Sequence, residues 1–334
     1  MPVLPLSTQI IPSSPPSNCL GLVQYLQQRL PGYDPSEYLR EINSAYIHVW
    51  EEVAKLKNHY FTNVVTVNVA RAQTQYDLMF NADAGLSAPV SARLYQVTKI
   101  RVRPPAGGLF QSTDSVSPND PDFISLSADA SGTPTQTGPY KWHLFGRNNI
   151  NWALPPAIGT TIEVTYTFWP LALSYLAQGT VSSSGTLVTG TGTNFTQLVQ
   201  PDFGASLPNV QGQEEVQAEL VCNINQVYRV KVITSDTALT TATAITPALP
   251  NGGLYFLAAV PEIPREHIRV IGAIAMGKLY SVAGDDTRVQ EWAAIAAANM
   301  QMMKDSLIER QSNNPPRKQR FPYGIGRRNR TFLR

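Results

Sequence analysis

The sequence is poor in charge, in cysteine and in long apolar runs, and each shortage excludes something. Charged residues make up 15% of the 334 positions, below the quarter typical of soluble domains, so much of the surface must be neutral polar or joined to another chain. Two cysteines, Cys19 and Cys222, exclude a disulfide framework and a cysteine zinc cluster, and fit synthesis in a reducing compartment. The four histidines, His48, His59, His143 and His267, form no HxH or HExxH pair, so no paired-imidazole metal site is written in the chain. No apolar run reaches the length of a membrane span, about 18 residues. The N-terminus lacks a basic region followed by an apolar one, so it does not read as a secretory signal. A GxSxG elbow and a Walker lysine loop are missing too. The expectation is a protein that is not an enzyme and holds neither cofactor nor metal.

What charge there is divides unevenly. Lys and Arg number 26 and Asp and Glu 24, a net of +2. Seven of the basic residues and no acidic one lie between Arg317 and Arg334. Taking those seven away leaves 19 basic against 24 acidic groups on residues 1–316, a net of −5. A mildly acidic body with a basic tail is not a uniformly basic nucleic-acid binder.

Residues 1–17 contain five prolines and no charged side chain, the composition of an extended arm or strap. Helical signals follow. Ser17 or Asn18 can cap a helix running to about Leu30. Asp34, Pro35 and Glu37 open the next with a box-like cap. Leu39, Ile42, Tyr46, Val49, Val53 and Leu56 then recur every three or four residues, one apolar stripe. From Phe61 the period becomes two, in Phe61–Val69, Arg93–Val102, Tyr140–Phe145 and Thr160–Trp169, which predicts a small antiparallel sheet with long loops. Residues 178–258 hold seven charges in 81 positions and are rich in Thr, Gly and Val; they read as an inserted β-barrel or sandwich module. Helices return after Val260. Ile268, Ile271, Ala275 and Leu279 share one face, Gly284 suits a C-cap, and Asp285-Asp286 open a long helix striped by Trp292, Ala296, Met300, Met303 and Leu307. The fold expected is α+β: a helical bundle of N- and C-terminal helices, a small antiparallel sheet, and the inserted module. The corresponding parts are an arm at 1–17, a core at 18–177 and 259–312, the module at 178–258, and a basic tail at 313–334.

Local clusters carry little chemistry. Gly185, Gly190 and Gly192 sit among Thr-rich strands with no helix after them, so they read as turn glycines and not a phosphate loop. Glu214, Glu215 and Glu219 read as a solvated loop. The tail is sharper. Arg317, Lys318, Arg320, Arg327, Arg328, Arg330 and Arg334 are interleaved with Phe321, Tyr323 and Phe332. Gly and Pro forbid a continuous helix there, which predicts a disordered segment with three possible roles: docking on a partner through aromatic anchors, contact with nucleic acid, or solubility.

Three stretches carry a family likeness: the helix with Asn43 and Ala45, the run Asn148–Leu173, and the return Pro261–Asp286. Together they resemble the head-to-tail adaptor (connector, or head completion) proteins of tailed bacteriophages. Thr165-Tyr166 through Pro170-Leu171 matches a TYxxxPxxL-like strand end, and Pro264-Arg265-Glu266-His267 keeps part of a PEHH-like helix start. The resemblance covers about residues 18–312, and the inserted module is larger than the family's usual connection. It implies a virion protein made in the host cytoplasm and placed in the neck. There it would form a homo-oligomeric ring of about twelve copies between the portal protein and the tail or tail nozzle. DNA would pass through the channel without sequence-specific binding, and no membrane is involved. It also implies that the tail residues named above dock on the portal, and Trp292, Met300 and Met303 are candidates for the ring interface. The alternative is a glycan- or surface-binding fibre or decoration protein, which would display Trp142, Trp152 or Trp169 on an exposed platform.

Overall fold

The computed structural model describes residues 17–56, 61–80, 84–91, 93–121, 123–124, 140–198, 218–222, 226–263 and 265–312. The basic tail, the arm before Ser17, His59, Pro264 and the pair Glu214-Glu215 lie outside the described residues.

Four main helices bracket the chain. α1 (Cys19–Arg29) starts at Asn18, whose Oδ1 accepts from the Gly21 N–H at 2.9 Å. α2 (Pro35–Lys55) carries the full capping box: Asp34 accepts from Ser36 N–H at 2.8 Å and Glu37 accepts from Asp34 N–H at 3.1 Å. Its inward stripe adds Tyr38, Ala45 and Trp50 to the expected Ile42, Tyr46, Val49 and Val53. The Tyr38 hydroxyl donates to the Leu30 carbonyl at 2.5 Å, closing the α1–α2 corner. α3 (Ile268–Ala283) is apolar on nearly every side because it runs between α2 and α4 (Asp286–Ser312). Gly272 lets it approach α1: a Cβ there would lie 3.4 Å from the Tyr25 ring. Gly284, with φ +74°, caps α3, and Asp285 accepts from Arg288 N–H at 3.1 Å to start α4.

Fifteen strands stand among the described residues, in three sheets. In chain order they are β1 (Thr62–Asn68), β2 (Gln75–Asp77), β3 (Leu94–Arg103), β4 (Gln111–Ser112), β5 (Asp114–Ser115), β6 (Lys141–Phe145), β7 (Asn149–Trp152) and β8 (Thr161–Phe168). Then come β9 (Tyr175–Leu176), β10 (Thr180–Ser184), β11 (Leu187–Thr191), β12 (Ala218–Cys222), β13 (Gln226–Ser235), β14 (Ala238–Thr241) and β15 (Phe256–Ala259). The sheets run β1-β8-β3-β4, β2-β7-β6-β5 and β10-β11-β14-β13-β12-β15-β9. All pairings are antiparallel except β5 with β6. The two four-stranded sheets share one core, in which Val97, Ile100, Ile162 and Val164 meet Tyr76, Trp142, Ile150 and Trp152.

This corrects the expected fold class. The chain is mixed α and β, but three sheets outweigh the helices, so it is not a helical bundle with a small sheet. The alternating segments 61–169 form two sheets and not one; β2, β5 and β7 are too short to announce themselves by periodicity. The Thr-rich segment supplies most of the seven-stranded sheet, and its strand β10 bonds back to Leu249 and Gly253. Val188, Leu220, Val230, Leu239 and Leu257 from that sheet join Leu22, Ile42, Val49, Ile271 and Met276 of the helices in one continuous core. A sheet with one apolar face needs a second layer to cover it, and the helices supply that layer.

Two predictions follow from packing. Burial pushes the Cys19 thiol up to about 12 and the Cys222 thiol up to about 11, so neither should react with a thiol reagent in the native protein at neutral pH, and both should in denaturant. Glu52 bridges α2 to α4 by accepting from Lys304 Nζ at 2.5 Å, and it also takes Lys55. Those hydrogen bonds hold its carboxyl down to about 2, against an ordinary 4.5. Because the folded state favours the carboxylate, this contribution is complete above pH 4.5 and fades as pH falls toward 2. Urea titrations from about pH 6 to 3, across the carboxylate range, should show that slope reduced in Glu52→Gln.

Candidate functional site

Charged, polar and aromatic side chains gather at a junction between the two cores. Asn43 lies midway along α2, and its amide acts as a strand partner for one residue: Nδ2 donates to the Leu173 carbonyl at 2.9 Å while Oδ1 accepts from Leu173 N–H at 2.6 Å. One turn further, the Tyr46 hydroxyl accepts from Glu262 N–H at 2.7 Å. The Glu262 carboxylate pairs with Arg93 at 2.5 Å and accepts from Leu171 N–H at 3.4 Å. Arg93 also donates through Nε to the Trp169 carbonyl at 2.8 Å, with its guanidinium 4.7 Å above the Phe168 ring. Trp169 stacks on Trp50 with centroids 4.6 Å apart, and Tyr95 meets both edge-on at 4.9 and 4.7 Å. The ion pair is mostly shielded, with 18% and 8% of the two side chains exposed. Desolvation of such a pair is offset by the additional hydrogen bonds, so removing either partner strands the other charge.

A second clamp holds the seven-stranded sheet to the helices. Glu219 on β12 is buried, and it accepts from Asn18 Nδ2 at 2.7 Å, Ser17 Oγ at 2.8 Å and Arg265 at 2.5 Å. Asn18 therefore serves α1 with one end of its amide and β12 with the other. This overturns the reading of Glu219 as part of a solvated loop. The Glu pair before it had made the segment look uniformly polar, whereas Ala218, Leu220 and Cys222 bury the strand.

Three surfaces face outward. Lys99, Arg101 and Arg103 share one face of β3; Arg101 pairs with Glu163 at 2.5 Å, and the Arg101 and Arg103 guanidiniums lie 5.5 and 5.0 Å from the Phe110 ring. At the far end of the second sheet, Asp77 accepts from Met79 N–H, Phe80 N–H and Asn148 Nδ2 at 2.8, 3.1 and 3.0 Å. It thereby fixes the turns that carry exposed Phe80 and Phe145. On α4, Ile295 and Met302 are exposed two turns apart, with exposed Ala298 between them. The spacing of Lys99, Arg101 and Arg103 at every second position was a readable signal for the first surface. The other two depend on turns and on which helix face is covered.

The sequence-derived candidates fall in different places. Met300 and Met303 are buried inside the protomer and Trp292 is half-buried against the same core, so packing on the chain's own helices takes up the stripe proposed for a neighbouring copy. The residues expected to dock on a portal, Arg317, Lys318, Arg320, Phe321, Tyr323, Arg327, Arg328, Arg330, Phe332 and Arg334, lie outside the described residues. Trp142 and Trp152 are buried, and Trp169 is half-buried in the stack on Trp50. Gly185 makes the β10–β11 turn at φ +63°. Among the described residues no group of three or more His, Cys, Asp or Glu is placed to hold a metal, and no helix is long and apolar enough to cross a membrane. No protein-family model matches the chain, and no curated protein matches it.

Glu262→Ala should cost about 3 kcal/mol by leaving Arg93 unpaired between the lobes. Urea denaturation measures it, and a double-mutant cycle with Arg93→Met should recover part of the loss.

Proposed function

We propose that the chain is a structural virion protein of a tailed-bacteriophage neck, assembling as a ring of about twelve copies that joins the portal to the tail and continues the DNA channel. The observation that carries this reading is spatial. The stretches resembling the adaptor family are separate in sequence, yet Asn43, Leu171, Leu173 and Glu262, one or two from each, are bonded at a single junction. Motifs shared for structural reasons are expected to meet where the fold is held together. The exposed Ile295, Ala298 and Met302 on α4 and the low overall charge also suit a subunit whose surface is shared with neighbours.

In this reading the work is assembly and not turnover. A soluble protomer meets a symmetric portal, and the ring multiplies modest contacts through effective concentration. The C-terminal tail reaches the portal with Phe321, Tyr323 and Phe332 as anchors and its arginines pairing with carboxylates. The net −5 of residues 1–316 favours a channel that lets DNA slide without gripping it.

Negative-stain microscopy of the purified protein with and without its cognate portal tests the reading. Rings bound coaxially to the portal are expected, and a protein that stays monomeric in both samples would refute it. Removing residues 317–334 should leave the melting temperature unchanged and abolish portal binding, read by co-sedimentation.

A further inference from the structure

Sheets end in edges, and an open edge pairs with any extended chain that fits it. Most edges here are guarded. β2, β4, β5 and β9 have three residues or fewer. On β10, Val181 and Ser183 donate to the Gly253 and Leu249 carbonyls at 2.9 and 3.1 Å. β1 differs. It has seven residues with no charge, proline or glycine, and Val64 is 48% exposed.

The backbone direction along β1 can be read from its end. Val69 N–H donates to the Thr160 carbonyl at 2.8 Å, so by the two-residue alternation Val67 and Val65 face β8 while Asn68, Thr66 and Val64 face away. Asn68 is occupied by Ser87 through bonds of 3.0 and 2.7 Å. The Val64 N–H is held by the neighbouring Asn63 side chain at 2.8 Å. Among the described residues no strand pairs with the outer side of β1, which leaves the Thr66 N–H and the Val64 and Thr66 carbonyls as an open ladder.

We infer that this edge receives the N-terminal arm of a second copy as an added strand. The arm matches the edge in kind: residues 2–16 carry no charged side chain, and Leu6–Ile11 is a six-residue run without proline, bounded by Pro5 and Pro12. Six extended residues span about 20 Å, close to the length of β1, and the flanking prolines limit sliding because they donate no hydrogen bond. The arm leaves the protomer at Asn18, which Glu219 pins to the seven-stranded sheet, whereas β1 borders the other core. From Asn18 the seven residues back to Ile11 reach about 25 Å when extended. A neighbour's edge within that distance is the acceptor, so each copy gives one strand and takes one, a head-to-tail arrangement that closes as a ring. The inference rests on the ring reading above and adds what links one copy to the next.

The test mixes two full-length variants, Thr8→Cys carrying an affinity tag and Val64→Cys, with the cognate portal, and treats them with a short bismaleimide while native mass spectrometry follows ring assembly. The buried native cysteines stay out of the reaction. A tagged heterodimer is expected, and it should disappear when the Val64→Cys protein also carries Thr66→Pro, a change that removes the open N–H without touching the β8 ladder. Rings that form without the heterodimer, or a heterodimer that survives Thr66→Pro, would overturn strand donation and leave the ring standing. Absence of both rings and heterodimer would overturn the two together.

Discussion

The buried carboxylate of Glu219 is the constraint on which the helical half of the molecule depends. It sits in the middle of a sheet strand and gathers Asn18 from the start of α1 and Arg265 from the approach to α3. A charge in that position is tolerated only with such partners, because an uncompensated buried carboxylate is expensive. The partners in turn are tied down by it. Asn18 can cap α1 only in the orientation that also reaches β12, and Arg265 fixes where α3 begins. One ionised group thus sets the registration of a sheet against helices from both ends of the chain.

The Arg93–Glu262 pair does the same for the other half. Arg93 enters β3 of the first sheet, and Glu262 follows the last strand of the seven-stranded sheet. Around them, the Trp50, Trp169 and Tyr95 rings fill the seam, so the two cores meet through aromatic contact as well as charge. Asn43 and Tyr46 add backbone hydrogen bonds from α2. These groups all act on main chain or on each other, and their chemistry is that of a rigid coupling. In the proposed ring, rigidity of this kind would keep the two cores of each copy in one relative position.

Sequence patterning was clearest where an element announces itself locally. The capping box at Asp34, the α2 stripe, the Gly284 cap and the opening of α4 at Asp285 could all be read directly, because each depends on residues within one or two helical turns. The long strands β1, β3 and β8 were legible by alternation. The short strands were not, and their absence from the reading turned two facing sheets into one small one. Glu219 was misread for a related reason: composition over a window hides a single charge buried by its neighbours in space.

Residue order alone determined where the main helices start and stop, where the long alternating strands lie, and how charge divides between an acidic body and a basic tail. Those properties follow from backbone propensity, capping and counting, all of them local or additive. Only the tertiary structure decided that the Thr-rich segment is a sheet sharing its core with the helices, that Met300 and Met303 are spent on internal packing, and that among the described residues no strand covers the outer side of β1 at Val64–Thr66. Each of those outcomes depends on which surface covers which. Burial is a property of pairs of elements distant in sequence, and no window along the chain contains both members.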